Sequence, residues 1–173
     1  IKITSLVDES IMRRCCDMTR KPGMVPSKMT KAKIYKCEHS PNRAIMFWIE
    51  LTGIPSFVST QLVRHKIGVE HFVESNRDDR GGSSEVTRNT PVNHGLLINA
   101  QALIQMSRKR LCYMSHAKTV AVQIKLRKAM SDVDADLSRA MVPECVYRNG
   151  MCPELRECKP GLDKVMRAYE RHP

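Results

Sequence analysis

The stretch Ala44-Ile45-Met46-Phe47-Trp48-Ile49-Glu50-Leu51-Thr52-Gly53-Ile54-Pro55-Ser56-Phe57-Val58-Ser59-Thr60-Gln61-Leu62-Val63-Arg64-His65-Lys66 changes character twice, and both changes bear on the fold. Its first part is the most apolar run in the chain and reads as a buried strand through Glu50. Thr52-Gly53-Ile54-Pro55 is a turn signal, and Pro55-Ser56 suits a helix start, where a missing backbone N–H is no loss. Helical spacing then places Phe57, Gln61 and Arg64 along adjoining turns. The end of this apolar helix gathers Gln61, Arg64, His65 and Lys66, a cluster that calls for a partner. Gln61 and Arg64 can grip one ligand together, the amide on a base edge and the guanidinium on a phosphate or carbonyl oxygen.

Toward the amino terminus, Ile1, Ile3 and Leu6 alternate ahead of Asp8-Glu9-Ser10, Ile11 and Met12, which predicts a strand followed by a short helix. Arg20 to Lys33 holds Pro22, Gly23 and Pro26 among five Lys and Arg residues and reads as a basic loop. In the other direction, Arg77 to Gly95 is too polar to fold as core and is expected to be a loop, with a lid as one role. From Leu96 onward, Leu97, Ala100, Leu103, Ile104, Leu111 and Met114 recur at helical spacing, and a second periodic run covers Val120 to Met130. The expectation is an α/β chain of the α+β kind with two long helices.

The length of 173 residues fits a single domain over 1-173. Hydrophobic residues at 42% supply a core, while aromatics at 5% leave packing to aliphatic and methionine side chains. No run of eighteen apolar residues occurs, and Ile1-Lys2-Ile3-Thr4 lacks the order of a signal peptide, so the expectation is a soluble, cytoplasmic protein with no membrane contact. Seven cysteines, with Cys15 and Cys16 adjacent, do not resemble a secreted disulfide framework and read as mostly reduced thiols. A net charge of +11 favours anionic partners. The Phe and Trp residues fall mainly in apolar runs rather than among the basic ones, which favours small phosphorylated ligands over nucleic acid. Zinc-finger, Walker and dinucleotide-binding glycine motifs are absent from the sequence.

Four elements in order resemble the flavin-dependent thymidylate synthase family. Gln61-Leu62-Val63-Arg64-His65-Lys66 followed by Ser75-Asn76-Arg77 is similar to that family's Gln-x-x-Arg-His-Arg and Ser-x-Arg signature; Glu38-His39-Ser40 is similar to its His-x-Ser element; and Arg139-Ala140-Met141-Val142-Pro143 resembles its Arg-x-x-Leu-Pro. The resemblance implies a homotetramer with a curved antiparallel sheet flanked by long helices and active sites shared between subunits. It implies that Gln61, Arg64, Ser75, Arg77 and Arg139 hold dUMP, and that Ser40, Arg64, His65 and Lys66 touch FAD. Methylenetetrahydrofolate would supply the one-carbon unit, reduced flavin the hydride, and NADPH the electrons for the flavin.

The chain departs from the pattern in three places. Lys66 stands where the family has arginine, which keeps the charge and loses the planar fork. One extra residue separates Arg64 from Ser75, and Val69 and His71-Phe72-Val73 replace the family's serine and Asn-Glu, with neither Glu70 nor Glu74 in register. The segment 144-173 diverges; by chemistry alone Asn149 is a flavin-contact candidate and Arg156, with Arg139, a catalytic one. Hydroxymethylation of a pyrimidine nucleotide, or nucleic-acid binding through Arg108-Lys109-Arg110 and Lys125 to Lys128, are the alternatives, the latter against the plainer reading of a solvated helix face.

Other polar residues have plain readings too. His39 and His71 read as structural. Cys145, Cys152 and Cys158 could take zinc with a fourth ligand such as His172, but their spacing is not that of a close zinc-ribbon pair, so the reading here is no metal and buried thiols or a disulfide. Asp78-Asp79 could hold magnesium, and a solvated loop is the better fit.

Overall fold

The computed structural model describes residues 1–21, 24, 29–83 and 85–170. Along the chain run strand β1 (Lys2–Ser5), helices α1 (Ser10–Met18) and α2 (Lys31–Cys37), strand β2 (Met46–Pro55), helix α3 (Ser56–Val63), strands β3 (Val69–Val73) and β4 (Pro91–Asn99), and helices α4 (Ala100–Arg110), α5 (Ala117–Val133), α6 (Ala135–Ala140), α7 (Glu144–Tyr147) and α8 (Leu162–Glu170). The chain is mixed α and β, as expected: the strands form one antiparallel sheet in the order β1-β2-β4-β3, accompanied by eight α-helices among the described residues. None of these helices is long and apolar enough to cross a membrane.

Period-two alternation explains the sheet. Phe47, Ile49 and Leu51 point to one face of β2, where they stand opposite Ile98, Leu96 and His94 of β4, and all six are buried. Val58 and Leu62 of α3, Leu103 and Met106 of α4, and Leu126 and Met130 of α5 join the same core. A fully buried aliphatic side chain of this size contributes about 1.5–3 kcal/mol.

Three expectations need correction. Thr52-Gly53-Ile54-Pro55 is not a turn between strand and helix; β2 continues to Pro55 through an irregularity between Leu51 and Ile54. Gly53 takes φ +65°, and its N–H donates to Asn93 Oδ1 at 3.1 Å, so the turn-forming residues are spent on a bulge that bends the strand. The second correction concerns Leu96, Leu97 and Ile98. They belong to β4, so neither the polar loop to Gly95 nor the helix from Leu96 has those bounds. An apolar triplet fits either period, and the choice is made by Asn99, whose Oδ1 accepts the Ala102 N–H at 2.8 Å and starts α4 one residue later. The first helical run also ends earlier than Met114, at Arg110, and His116 caps α5 by accepting from Lys118 N at 3.2 Å.

Pro22, Gly23 and Pro26 of the expected basic loop lie outside the described residues; of its remainder, Lys31 and Lys33 begin α2. That helix is tied to α6 through Asp134, which is buried. Its Oδ2 accepts from Tyr35 Oη at 2.7 Å and pairs with Lys31 Nζ at 3.0 Å, while its Oδ1 caps α6 by accepting from Leu137 N at 2.9 Å. Burial, reinforced by Asp134, raises the Tyr35 phenol far above its ordinary range, so it stays protonated and donates to Asp134.

The opposite face of the sheet is less covered. Trp48 and Leu97 are half-buried, Phe72 is exposed, and the indole meets the Phe72 ring at a centroid distance of 5.5 Å. That contact requires a glycine between them: a Cβ at Gly95 would stand 2.6 Å from Trp48 Cη2. Gly95→Ala is therefore expected to lower the unfolding free energy by about 1–3 kcal/mol and to shift the emission of the single tryptophan, both read in a urea titration; wild-type stability and emission would place the indole elsewhere.

Candidate active site

Helix α3 ends at Val63 with Arg64 as its cap, so Arg64, His65 and Lys66 follow directly on its C-terminal end, where His65 N donates to the Leu62 carbonyl at 3.0 Å. Gly68 turns the chain into β3. It takes φ +73°, its carbonyl accepts from Asn99 N at 3.0 Å, and a Cβ there would stand 2.4 Å from Asn99 Nδ2. The residue that starts α4 thus also holds this turn. β3 is the sheet edge beside β4, and it delivers the chain to Ser75, Asn76 and Arg77.

Beneath this segment runs a chain of polar contacts. Arg110 donates from Nε to His65 Nε2 at 3.0 Å and from its terminal nitrogen to the Gln61 carbonyl at 2.7 Å. His71 Nε2 lies 2.7 Å from the His65 carbonyl, His71 Nδ1 lies 3.0 Å from His94 Nε2, and His94 Nδ1 lies 3.0 Å from Ser59 Oγ. Because a carbonyl only accepts, His71 Nε2 must carry a proton. With neutral rings the rest follows: His94 donates from Nε2 to His71 Nδ1, Ser59 donates to His94 Nδ1, and His65 keeps its proton on Nδ1.

The surroundings favour the neutral forms of His65 and His94. His94 is 1% exposed, and burial, with His71 as the nearby charge, holds its pKa down at about 4. Burial, followed by Arg110 and His71, does the same to His65, also to about 4. Burial lowers the Arg110 guanidinium from its ordinary value, with Arg64 adding to the effect. Gln61 is oriented as well, since its Oε1 accepts from Thr119 Oγ1 at 2.9 Å.

Of the residues singled out in the sequence, Gln61, Arg64, His65 and Lys66 lie on the helix end and turn, and Ser75 and Arg77 follow the edge strand, which ends at Val73. Arg64 and Lys66 are exposed. Arg77 is engaged by Asp79 through Nε–Oδ1 at 2.8 Å and a second contact at 2.7 Å, with both side chains more than half exposed. Asp79 is thereby an arginine partner. The others lie apart. Ser40 lines a cavity of about 470 Å³ with His39, Cys16, Lys33 and Ile34. Arg139, paired with Asp136, lines another of about 660 Å³ with Tyr113, Arg127 and Tyr169. Neither cavity is lined by the Gln61–Arg77 residues. Asn149 and Arg156 are exposed in the C-terminal segment, and no hydrogen bond among the described residues links them to that group.

The sequence reading missed Ser59, Gly68, His94, Arg110 and Thr119. His94 had a usable signal, because Val92, His94, Leu96 and Ile98 alternate and place an imidazole in a buried row. Arg110 was grouped with Arg108 and Lys109 as a solvated basic face, yet only Lys109 of the three is exposed. Arg108 packs its guanidinium 3.5 Å from the Tyr147 ring centroid and pairs with Glu38. His71, read as structural, is the middle of the polar chain.

No family model matches the chain, and no curated protein matches it.

Folded His65 and His94 resist protonation while unfolded ones titrate near 6.5. The unfolded chain therefore binds more protons between pH 6.5 and 4, and stability falls as pH is lowered through that window. The midpoint of thermal unfolding is expected to decline there, and His94→Gln, which removes one titrating ring, should make the decline shallower; a flat profile in the wild-type protein would contradict the neutral chain.

Proposed function

We propose that this chain is a flavin-dependent thymidylate synthase-like methyltransferase that carries a one-carbon unit from methylenetetrahydrofolate to C5 of dUMP. The observation that supports the reading most is the exposure of Arg64 and Lys66 at the end of α3, on the turn that leads through β3 to Ser75 and Arg77. No carboxylate among the described residues pairs with Arg64 or Lys66. Such a donor set fits a nucleotide phosphate and a dinucleotide pyrophosphate. Reduced FAD supplies the hydride, so the protein's task is binding, orientation and electrostatics, with no side-chain nucleophile required.

Within this reading Arg77 exchanges its exposed carboxylate partner for the dUMP phosphate, at little cost because a solvated pair contributes about 0–1 kcal/mol. Ser75 donates to the same group. The Thr119 hydroxyl occupies Gln61 Oε1 and leaves the amide Nε2 to donate to a pyrimidine carbonyl. Arg64, beside that carbonyl, stabilises the charge that develops on the ring as C5 attacks. Lys66 takes the flavin pyrophosphate as a point charge.

Ser40 and Arg139 join the site from neighbouring copies in a homotetramer. The half-covered sheet face around Trp48, Leu97 and Phe72 is the surface that such an assembly would bury. Arg156 and Asn149 keep the catalytic and flavin-contact roles only through the same assembly.

The direct test is product analysis after incubation with dUMP, FAD, NADPH and methylenetetrahydrofolate. dTMP is expected; hydroxymethyl-dUMP would move the reaction to the related hydroxymethylase, in which water rather than hydride finishes the adduct. No turnover, with DNA or RNA binding that weakens steeply as salt rises, would replace the enzyme by a basic nucleic-acid module.

Loss of one charge-assisted contact of about 1.5–3 kcal/mol predicts that Arg77→Ala weakens dUMP binding roughly 10- to 100-fold while FAD stays bound. Calorimetric titration of each ligand checks it, and an unchanged dUMP affinity removes Arg77 from the nucleotide site.

A further inference from the structure

The C-terminal segment after α6 has almost no core of its own. From Glu144 to Glu170 the only buried apolar side chain among the described residues is Val165, while Met151 is 68% and Leu155 fully exposed. Between α7 and α8 the backbone is irregular, with left-handed φ at Asn149, Gly150 and Gly161. Even so, this segment closes over the end of α4. Cys112, two residues past α4, Cys145 on α7, and Cys152 and Cys158 from the irregular segment all line one cavity, with Tyr113, Pro143 and Val165 around them. Four of the chain's seven cysteines converge there from three separate stretches.

The cavity holds about 20 Å³. One water-sized particle needs about 10–15 Å³, so the space admits a single ion and excludes an organic ligand. Backbone turns follow two of the cysteines: Gly150 N donates to the Cys145 carbonyl at 2.8 Å, and Gly161 N donates to the Cys158 carbonyl at 2.8 Å. Turns closed this way aim a side chain inward while the chain reverses. Four soft sulfur donors around an ion-sized void select a thiophilic ion of tetrahedral preference.

We infer that Cys112, Cys145, Cys152 and Cys158 form a structural zinc site that fastens the C-terminal segment to the end of α4. Among the described residues no three His, Cys, Asp or Glu side chains already stand close enough together to hold an ion, and all seven cysteines are free thiols. Zinc closes the shell by drawing the sulfurs to about 2.3 Å. Each thiol gives its proton to solvent, so four protons leave and the Zn²⁺ with four thiolates carries a net charge of 2−. Because the thiolate is the form that binds, uptake of the ion releases protons and is steeply pH-dependent. His172, the fourth ligand considered from the sequence, lies outside the described residues, and Cys112 takes that place.

The site is independent of flavin and nucleotide, and its test needs neither. Reduced, metal-stripped protein is titrated with Co²⁺ under anaerobic conditions. One equivalent is expected to bring up the near-ultraviolet thiolate-to-cobalt band and the red absorption of tetrahedral sulfur coordination, and one equivalent of Zn²⁺ should abolish both. Cys152→Ser and Cys158→Ser should each lose the spectrum, and Cys37→Ser, at an exposed thiol outside the cluster, should keep it. Independently of any variant, Zn²⁺ should shield Cys112, Cys145, Cys152 and Cys158 from alkylation, mapped by peptide mass, and leave Cys15 and Cys37 as reactive as before. Absence of the bands in the wild-type protein, their persistence in both cluster variants, or equal alkylation of all cysteines with and without Zn²⁺ would overturn the site.

Discussion

The edge of the sheet depends on a desolvated chain of neutral polar groups. Between Leu62 and Val92 the only buried apolar side chain among the described residues is Val69, so the stretch that carries Arg64 to Arg77 has almost no hydrophobic anchor. What holds it is the sequence of contacts from Ser59 through His94 and His71 to the His65 carbonyl, closed by Arg110 on His65 and Gln61. Each ring nitrogen in that chain has one role compatible with its neighbours. A proton added to His71 would force His94 to exchange its donor and acceptor nitrogens and would turn the Ser59 hydroxyl away. Buried networks of this kind are costly when half satisfied, which is why one arrangement of the helix end, the Gly68 turn and the edge strand prevails.

This construction separates support from display. Groups facing the core, His94 above all, are neutral and buried, whereas Arg64 and Lys66 stand in solvent with their charge uncompensated. The dipole of α3 favours cations at this end, which gives their presence a structural reason.

Much of the architecture was legible in the sequence because periodicity reports burial. Phe47, Ile49 and Leu51 announced β2, and the run from Val120 to Met130 announced α5. Legibility failed where one residue type served two structures. Thr52-Gly53 reads as a turn and forms a bulge, and Leu96-Leu97-Ile98 suits a helix as well as a strand until the Asn99 cap decides. β3 was missed because Glu70-His71-Phe72 puts a polar residue on the core side and an aromatic one outside, inverting the usual pattern. The motif residues Gln61 to Arg77 were legible as a group, but the partners that hold them come from α4, α5 and β4, and long-range pairing leaves no local signature. The cysteines show the same limit: Cys145, Cys152 and Cys158 stand out by proximity in sequence, whereas Cys112 joins them only once α4 and the C-terminal segment have met.

We propose that the helix end and the segment that β3 leads to bind flavin and a deoxyuridine nucleotide together. The most direct measurement is the visible spectrum of the purified protein with FAD as dUMP is titrated in. A flavin spectrum that shifts and saturates with dUMP is the predicted result, because the nucleotide would enter the electrostatic environment of the isoalloxazine. A protein that leaves the FAD spectrum at its free-solution form, with or without dUMP, would contradict it.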